Sequence, residues 1–205
     1  MKKAIEFSGS RGAGKSPRGA VRLHRQNILS LIQSYGLKFP NEQQTLQRLY
    51  RFVSSNPHCF ERQLLVGHIT GSAWIVDRGY EKILLTHHKK LDKWLQPGGH
   101  ADGVTNVAEV AMREAQEESG LSDLVLVDPG MFDIDVHLIP ARLEEPAHYH
   151  FDCRFLICCH GDESYVVSNE SHDLAWVRLT DIERYTNEAS IMRMVEKTVL
   201  LKKLI

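Results

Sequence analysis

The chain has 205 residues, of which 42% are hydrophobic and 25% charged, with a formal net charge of -1. These values suit a globular chain with one sizeable core and exclude a disordered or collagen-like one. With 25 Lys and Arg against 26 Asp and Glu, no cationic surplus exists to displace the counterions of a nucleic-acid polymer, whereas a nucleotide-sized ligand stays open.

Residues 1–19 read as a flexible basic tail, with Ser8, Gly9, Ser10, Gly12, Gly14, Pro17 and Gly19. The tail has no apolar run of the secretory kind, and no later segment approaches a membrane span. From Val21 to Tyr35, Leu23, Ile28, Leu31, Ile32 and Tyr35 recur at helical spacing, with Gly36 as the stop. A second helix follows Pro40, with Leu46, Leu49, Tyr50 and Val53 on one face. Residues 20–57 therefore form a helical extension, and residues 58–205 the main domain.

The pattern then changes to strands, at Gly67–Asp77 and Lys82–His87, joined by a hairpin turn at Asp77-Arg78-Gly79. Trp94-Leu95-Gln96 leads into Pro97-Gly98-Gly99, and Asn106–Ser119 is helical. Strands are expected at Leu124–Val127, Phe132–Leu138, Tyr149–His160 and Leu174–Arg178, with a closing helix over Glu188–Lys203. Helices flanking a strand-rich middle predict an α+β fold, an α/β/α sandwich built on a mixed sheet. Cys59, Cys153, Cys158 and Cys159 follow no C-x-x-C spacing and read as reduced thiols, so a cytoplasmic location is expected.

The segment from Gly99 to Leu121 carries the chemistry. Glu114, Glu117 and Glu118 are spaced i, i+3 and i+4, which on a helix of about 100° per residue places three carboxylates on one face. Like charges so placed repel, and a bound divalent cation reverses the sign of that interaction. Magnesium, a hard ion that takes carboxylate, water and phosphate oxygens, suits such a face. Arg113 stands four residues before Glu117 and can tether it. Val107, Val110, Ala111 and Ala115 form the opposite, core-facing side, Asn106 with Glu109 reads as a capping box, and Gly120 as the C-terminal stop.

This segment resembles the Nudix box, G-x5-E-x7-R-E-U-x-E-E-x-G-U, with U a bulky apolar residue. Gly99, Arg113, Glu114, Glu117, Glu118, Gly120 and Leu121 match in register, while Thr105 replaces the first Glu and Ala115 stands at a bulky position. The stretch from His137 to Phe155 is similar to bacterial Nudix proteins of unassigned substrate. The resemblance implies the Nudix fold and a MutT-like hydrolase of phosphoric anhydride bonds. It implies that Glu117 and Glu118 bind Mg2+, with Mn2+ as a substitute, and that Glu114 is a ligand or the base. Gly99 or Gly98 would lend a backbone carbonyl, and Arg113 would orient a carboxylate. A distal acidic residue is also implied, with Glu170 the candidate.

The expected substrate is a small nucleotide, a nucleoside diphosphate linked to a sugar or similar moiety. Alternatives are a nucleoside triphosphate and a weakly catalytic nucleotide-binding module. A homodimer is the assembly the resemblance suggests. Candidate substrate residues are His100 and Trp94 beside the glycine loop, with His148, His150 and Asp152, which alternate along a strand and share one face. Those histidines line a pocket or ligate a transition metal. Gly9 to Ser16 also satisfies the phosphate-loop pattern with Lys15, but no buried strand and helix frame it, so a basic tail is the preferred reading.

Overall fold

A computed structural model describes residues 24–142 and 145–204. The tail over 1–19, Lys15 and the start of the first expected helix lie outside the described residues. Helix α1 (Gln26–Lys38) and helix α2 (Gln43–Ser55) are separated by a 3-10 turn at Pro40–Glu42. Ile28, Ile32 and Tyr35 form the buried stripe of α1, and Leu46, Leu49, Phe52 and Val53 that of α2. Tyr50, expected on the same stripe, is 53% exposed. It lies one residue, hence about 100°, from Leu49, and Phe52 at i+3 takes the inward position instead.

Eight strands form one mixed sheet: β1 (Gly67–Asp77), β2 (Lys82–His88), β3 (Lys93–Leu95), β4 (Gly98–His100), β5 (Leu124–Leu126), β6 (Asp133–Ile139), β7 (His148–Cys159) and β8 (Ser171–Arg178). β1 is buried at every residue and pairs in parallel with β7 along its whole length, from Gly67 opposite Tyr149 to Asp77 opposite Cys159. The other edge of β1 is divided between β4, at Thr70 to Ser72, and β2, at Val76. β6 and β5 share the far edge of β7, and β8 lies beside β2.

The unbroken burial of β1 follows from helices on both faces. On one face Ile69, Phe151, Cys153 and Phe155 pack with Val107, Val110 and Ala111 of helix α3 (Val107–Ser119) and with the inward residues of α1 and α2. On the other, Trp74, Val76, Leu156 and Cys158 pack with Ile191, Met194 and Val195 of helix α4 (Ala189–Lys202). The α/β/α sandwich read from the sequence is thus the observed fold. No helix among the described residues is long and apolar enough to cross a membrane.

The helical extension is joined to the sheet by stacking and by buried charge. Phe52 lies flat on Phe151, with ring centroids 3.8 Å apart and planes 4° from parallel. Asp133, fully buried, accepts from Lys197 at 2.7 Å, from Arg193 at 2.8 and 2.7 Å and from Arg154 at 3.2 Å. Lys197 also reaches Glu42 at 2.7 Å and donates to the Tyr35 hydroxyl at 2.8 Å, tying α4 to the extension. Burial and the nearby Asp133 hold the Tyr35 phenol protonated far above its ordinary range. Charges this deep are tolerable only because each is paired.

Candidate functional site

Helix α3 carries the acid face. Its start differs from the expected capping box: the Asn106 side chain caps no backbone amide and donates instead to the Glu109 carboxylate at 2.8 Å. Its end is as expected, with Gly120 at φ 67° closing the helix through its N–H to the Gln116 carbonyl. Val107, Val110, Ala111 and Ala115 are buried against the sheet, which turns Glu114 and Glu118 toward the glycine strand β4 and leaves Glu117 exposed.

Glu118 is only 5% exposed, and its Oε1 accepts the Gly98 N–H at 2.7 Å. Glu114 lies against Gly99 so closely that a Cβ there would stand 2.5 to 2.6 Å from the carboxylate atoms. Glycine at position 99 is therefore a spatial requirement of the acid face. The Arg113 guanidinium donates to Glu114 Oε1 at 2.7 Å and to the His100 carbonyl at 3.2 Å. Glu117, the partner expected from spacing, stands 3.9 Å from Arg113 and points to solvent.

The carboxyls are short of positive charge. Burial pushes Glu118 up to about 8; the Gly98 N–H opposes this, and the negative Glu114 and Glu170 add to it. Burial also raises Glu114, opposed by Arg113 and reinforced by Glu117 and Glu170. Glu170, from the segment before β8, thus lies within electrostatic reach of both helix carboxyls, and its backbone carbonyl is fixed by the Lys89 N–H at 3.1 Å. The Glu114 and Glu118 carboxylates beside the glycine strand, with one guanidinium on Glu114, are oxygen donors of the kind a hard divalent cation takes. The residues present fit such an ion.

His100 stands on β4 next to Gly99 and belongs to a second group. It packs against His68 and His150, with ring centroids 4.8 and 5.2 Å away. His148 and His150 share a face of β7, as alternation predicts, and His137 on β6 lies opposite His150. Desolvation, then the neighbouring rings, lowers His68 to about 4 and His150 to about 2, and burial also lowers His100. His68 was not legible in the sequence, because only the parallel pairing of β1 with β7 brings it beside His150.

The remaining candidates are placed elsewhere. Asp152 is buried and accepts from Thr70 at 2.9 Å, Ser72 at 2.7 Å, Arg154 at 2.7 Å and Gln96 at 3.3 Å, so its lone pairs are spent within the sheet. Trp94 lies in an aromatic cluster, with His87 stacked on it at 5.0 Å and Tyr185 edge-on at 5.1 Å.

The sequence matches the NUDIX domain over residues 68–197. No curated protein matches it. Among solved structures, it is similar to a NUDIX-family hydrolase from Clostridium perfringens, at 27% identity and TM-score 0.52, over 65% of this chain and 97% of that one. The fold is shared with a C. elegans Ap4A hydrolase in a binary complex, at 15% identity and TM-score 0.53, over 67% and 98% of the two chains. It is also shared with the E. coli dihydroneopterin triphosphate pyrophosphohydrolase, at 16% identity and TM-score 0.51, over 64% and 94%.

Proposed function

The chain belongs to the Nudix family of hydrolases that act on phosphoric anhydride bonds of small nucleotides with a divalent metal, and from that premise we propose that it is Mg2+-dependent and cleaves a nucleoside diphosphate joined to another moiety. The products would be a nucleoside monophosphate and a phosphorylated remainder. The observation that carries the reading is the pair of contacts locking helix to glycine strand, Glu118 on the Gly98 N–H and Glu114 against Gly99. They bring two carboxylates to the glycine strand, which supports a site where an ion held there would neutralise charge on a pyrophosphate.

In this reading Glu117 and Glu118 hold the metal, with a backbone carbonyl of Gly98 or Gly99. Glu114 is a further ligand or the base that takes a proton from the attacking water. The ion, when bound, acidifies water and draws charge from the phosphate oxygens. Arg113, held by the His100 carbonyl, keeps Glu114 in one rotamer, so this carboxylate is positioned before substrate arrives. Glu170 adds a distal carboxylate from the segment before β8. We assign residues 26–55 the role of a cover on the sheet, since their apolar stripes share one core with α3 and β7.

Incubation with ADP-ribose, nucleoside diphosphate sugars, dinucleoside polyphosphates and nucleoside triphosphates, with product identification, tests the substrate class. Release of a nucleoside monophosphate from a diphosphate-linked substrate is expected. Pyrophosphate released from triphosphates alone would replace this substrate assignment by a nucleoside triphosphate pyrophosphohydrolase.

A further inference from the structure

The histidines on the sheet are a cluster that the carboxylate chemistry does not use. His68, His148 and His150 each offer a ring nitrogen, and the three atoms lie within 4.8 Å of one another. They stand on the central parallel pair, with His68 in register with His150 across β1 and β7. His68 is 2% exposed, yet neither of its ring nitrogens has a hydrogen-bond partner among the described residues. Leaving such a buried group unpaired is unfavourable. A ligand outside the polypeptide would remove that cost.

The orientation of His148 points to the kind of ligand. Its Nδ1 lies 2.9 Å from the Pro146 carbonyl, so the N–H donates there and the Nε2 lone pair faces inward. Fixing one ring nitrogen on a backbone carbonyl while the other faces the ion is the usual support of a metal-binding histidine. His148 Nε2 is 3.3 Å from His150 Nε2. Two imidazole nitrogens bound at about 2.0–2.1 Å to one tetrahedral zinc stand about 3.3–3.4 Å apart.

Three nearby aspartates are engaged with other groups. Asp102 is paired with Arg62, Asp152 with Arg154 and two hydroxyls, and Asp135 with His137 and Arg154. Neutral imidazole is the form that ligates a metal. The donor set also differs from that of the acid face: imidazole nitrogens suit zinc-class ions, and carboxylates suit magnesium.

We propose that His68, His148 and His150 bind one transition-metal ion of the zinc class, leaving its fourth position open on the side of His100. This site is separate from the Glu114, Glu117 and Glu118 face, because His100 and Gly99 are successive residues of β4 and only Gly99 lies against Glu114. The ion would clamp β1 to β7 next to the glycine strand.

The test is a Co2+ titration of the full chain, stripped with a chelator and then held in excess Mg2+ to occupy the carboxylates. One equivalent of Co2+ should bind with the visible absorption of a nitrogen-ligated, low-coordinate ion and without an intense thiolate band. His148→Gln and His150→Gln should each lose at least about ten- to hundred-fold in Co2+ affinity, the loss that even a supporting partner causes. Glu117→Gln should keep the spectrum. Absence of Co2+ binding in excess Mg2+, or unchanged affinity in both folded histidine variants, overturns the proposal. If either variant does not fold, histidine 15N spectra of the unmodified chain with Zn2+ decide it. Metal-shifted nitrogens on His68, His148 and His150 are expected, and shifts confined to other histidines refute the site.

Discussion

Replacing Glu118 by Gln separates the stability of this fold from its function. The Glu118 carboxyl ionises at about 8 in the folded chain against an ordinary 4.5. At about 1.4 kcal/mol for each tenfold change, that difference is a ceiling of about 5 kcal/mol on the ionised form. Between pH 4.5 and about 8 the folded chain keeps a proton that the unfolded chain has released, so stability falls as pH rises through this window. Above it the full penalty stands. Glutamine stays neutral at every pH, and its side-chain oxygen can still accept the Gly98 N–H. In chelator, thermal melts should show Glu118→Gln more stable than the parent at pH 8.5 by about 2–5 kcal/mol, or about 5–15 °C for a chain of this size. At pH 5 the two should agree within about 1 kcal/mol. Millimolar Mg2+ at pH 8.5 should raise the parent and not the variant, since the ion binds only the folded, ionised site. Turnover in the variant should fall at least about 100-fold. A variant less stable than the parent at pH 8.5, or a difference that is the same at both pH values, would refute the reasoning.

Other substitutions test neighbouring parts of the account. Gly99→Ala puts a methyl group 2.5 Å from the Glu114 carboxyl carbon, so Mg2+-supported turnover should drop at least about 100-fold while the melting temperature changes little. Asp133→Asn removes the common partner of Arg154, Arg193 and Lys197 and should cost about 3–5 kcal/mol in urea unfolding, because buried cations lose their counter-charge. Phe52→Ala takes the extension's aromatic ring off Phe151 and should cost about 3–5 kcal/mol, read from the same denaturation midpoint. Lys15→Ala should leave turnover unchanged; its loss would restore the phosphate-loop reading of the tail.

The elements that the sequence made legible are those whose signal is local. The acid face of α3 follows from helical spacing, the stop at Gly120 from its backbone freedom, and the shared face of His148 and His150 from strand alternation. What stayed hidden depends on pairing between distant segments. His68 joins the histidine group only through the parallel register with β7, and Asp133 meets Arg154, Arg193 and Lys197 only when β6, β7 and α4 have packed. The short strand β4 is held by its neighbour β1 rather than by strand-forming residues, so the glycine stretch reads as a loop. Asp152 shows the converse limit: alternation places its face, but not the four donors that occupy it.

The central claim is that the carboxylates of α3 act through a divalent ion on a phosphoric anhydride. Its most direct test is turnover of a diphosphate-linked nucleotide by the parent and by Glu117→Gln, across a Mg2+ titration, with both chains shown to be folded. Saturable Mg2+-dependent turnover in the parent, and a loss of at least about 100-fold in the variant, is the predicted result. Turnover that is independent of Mg2+, or equal in the two chains, would contradict the account.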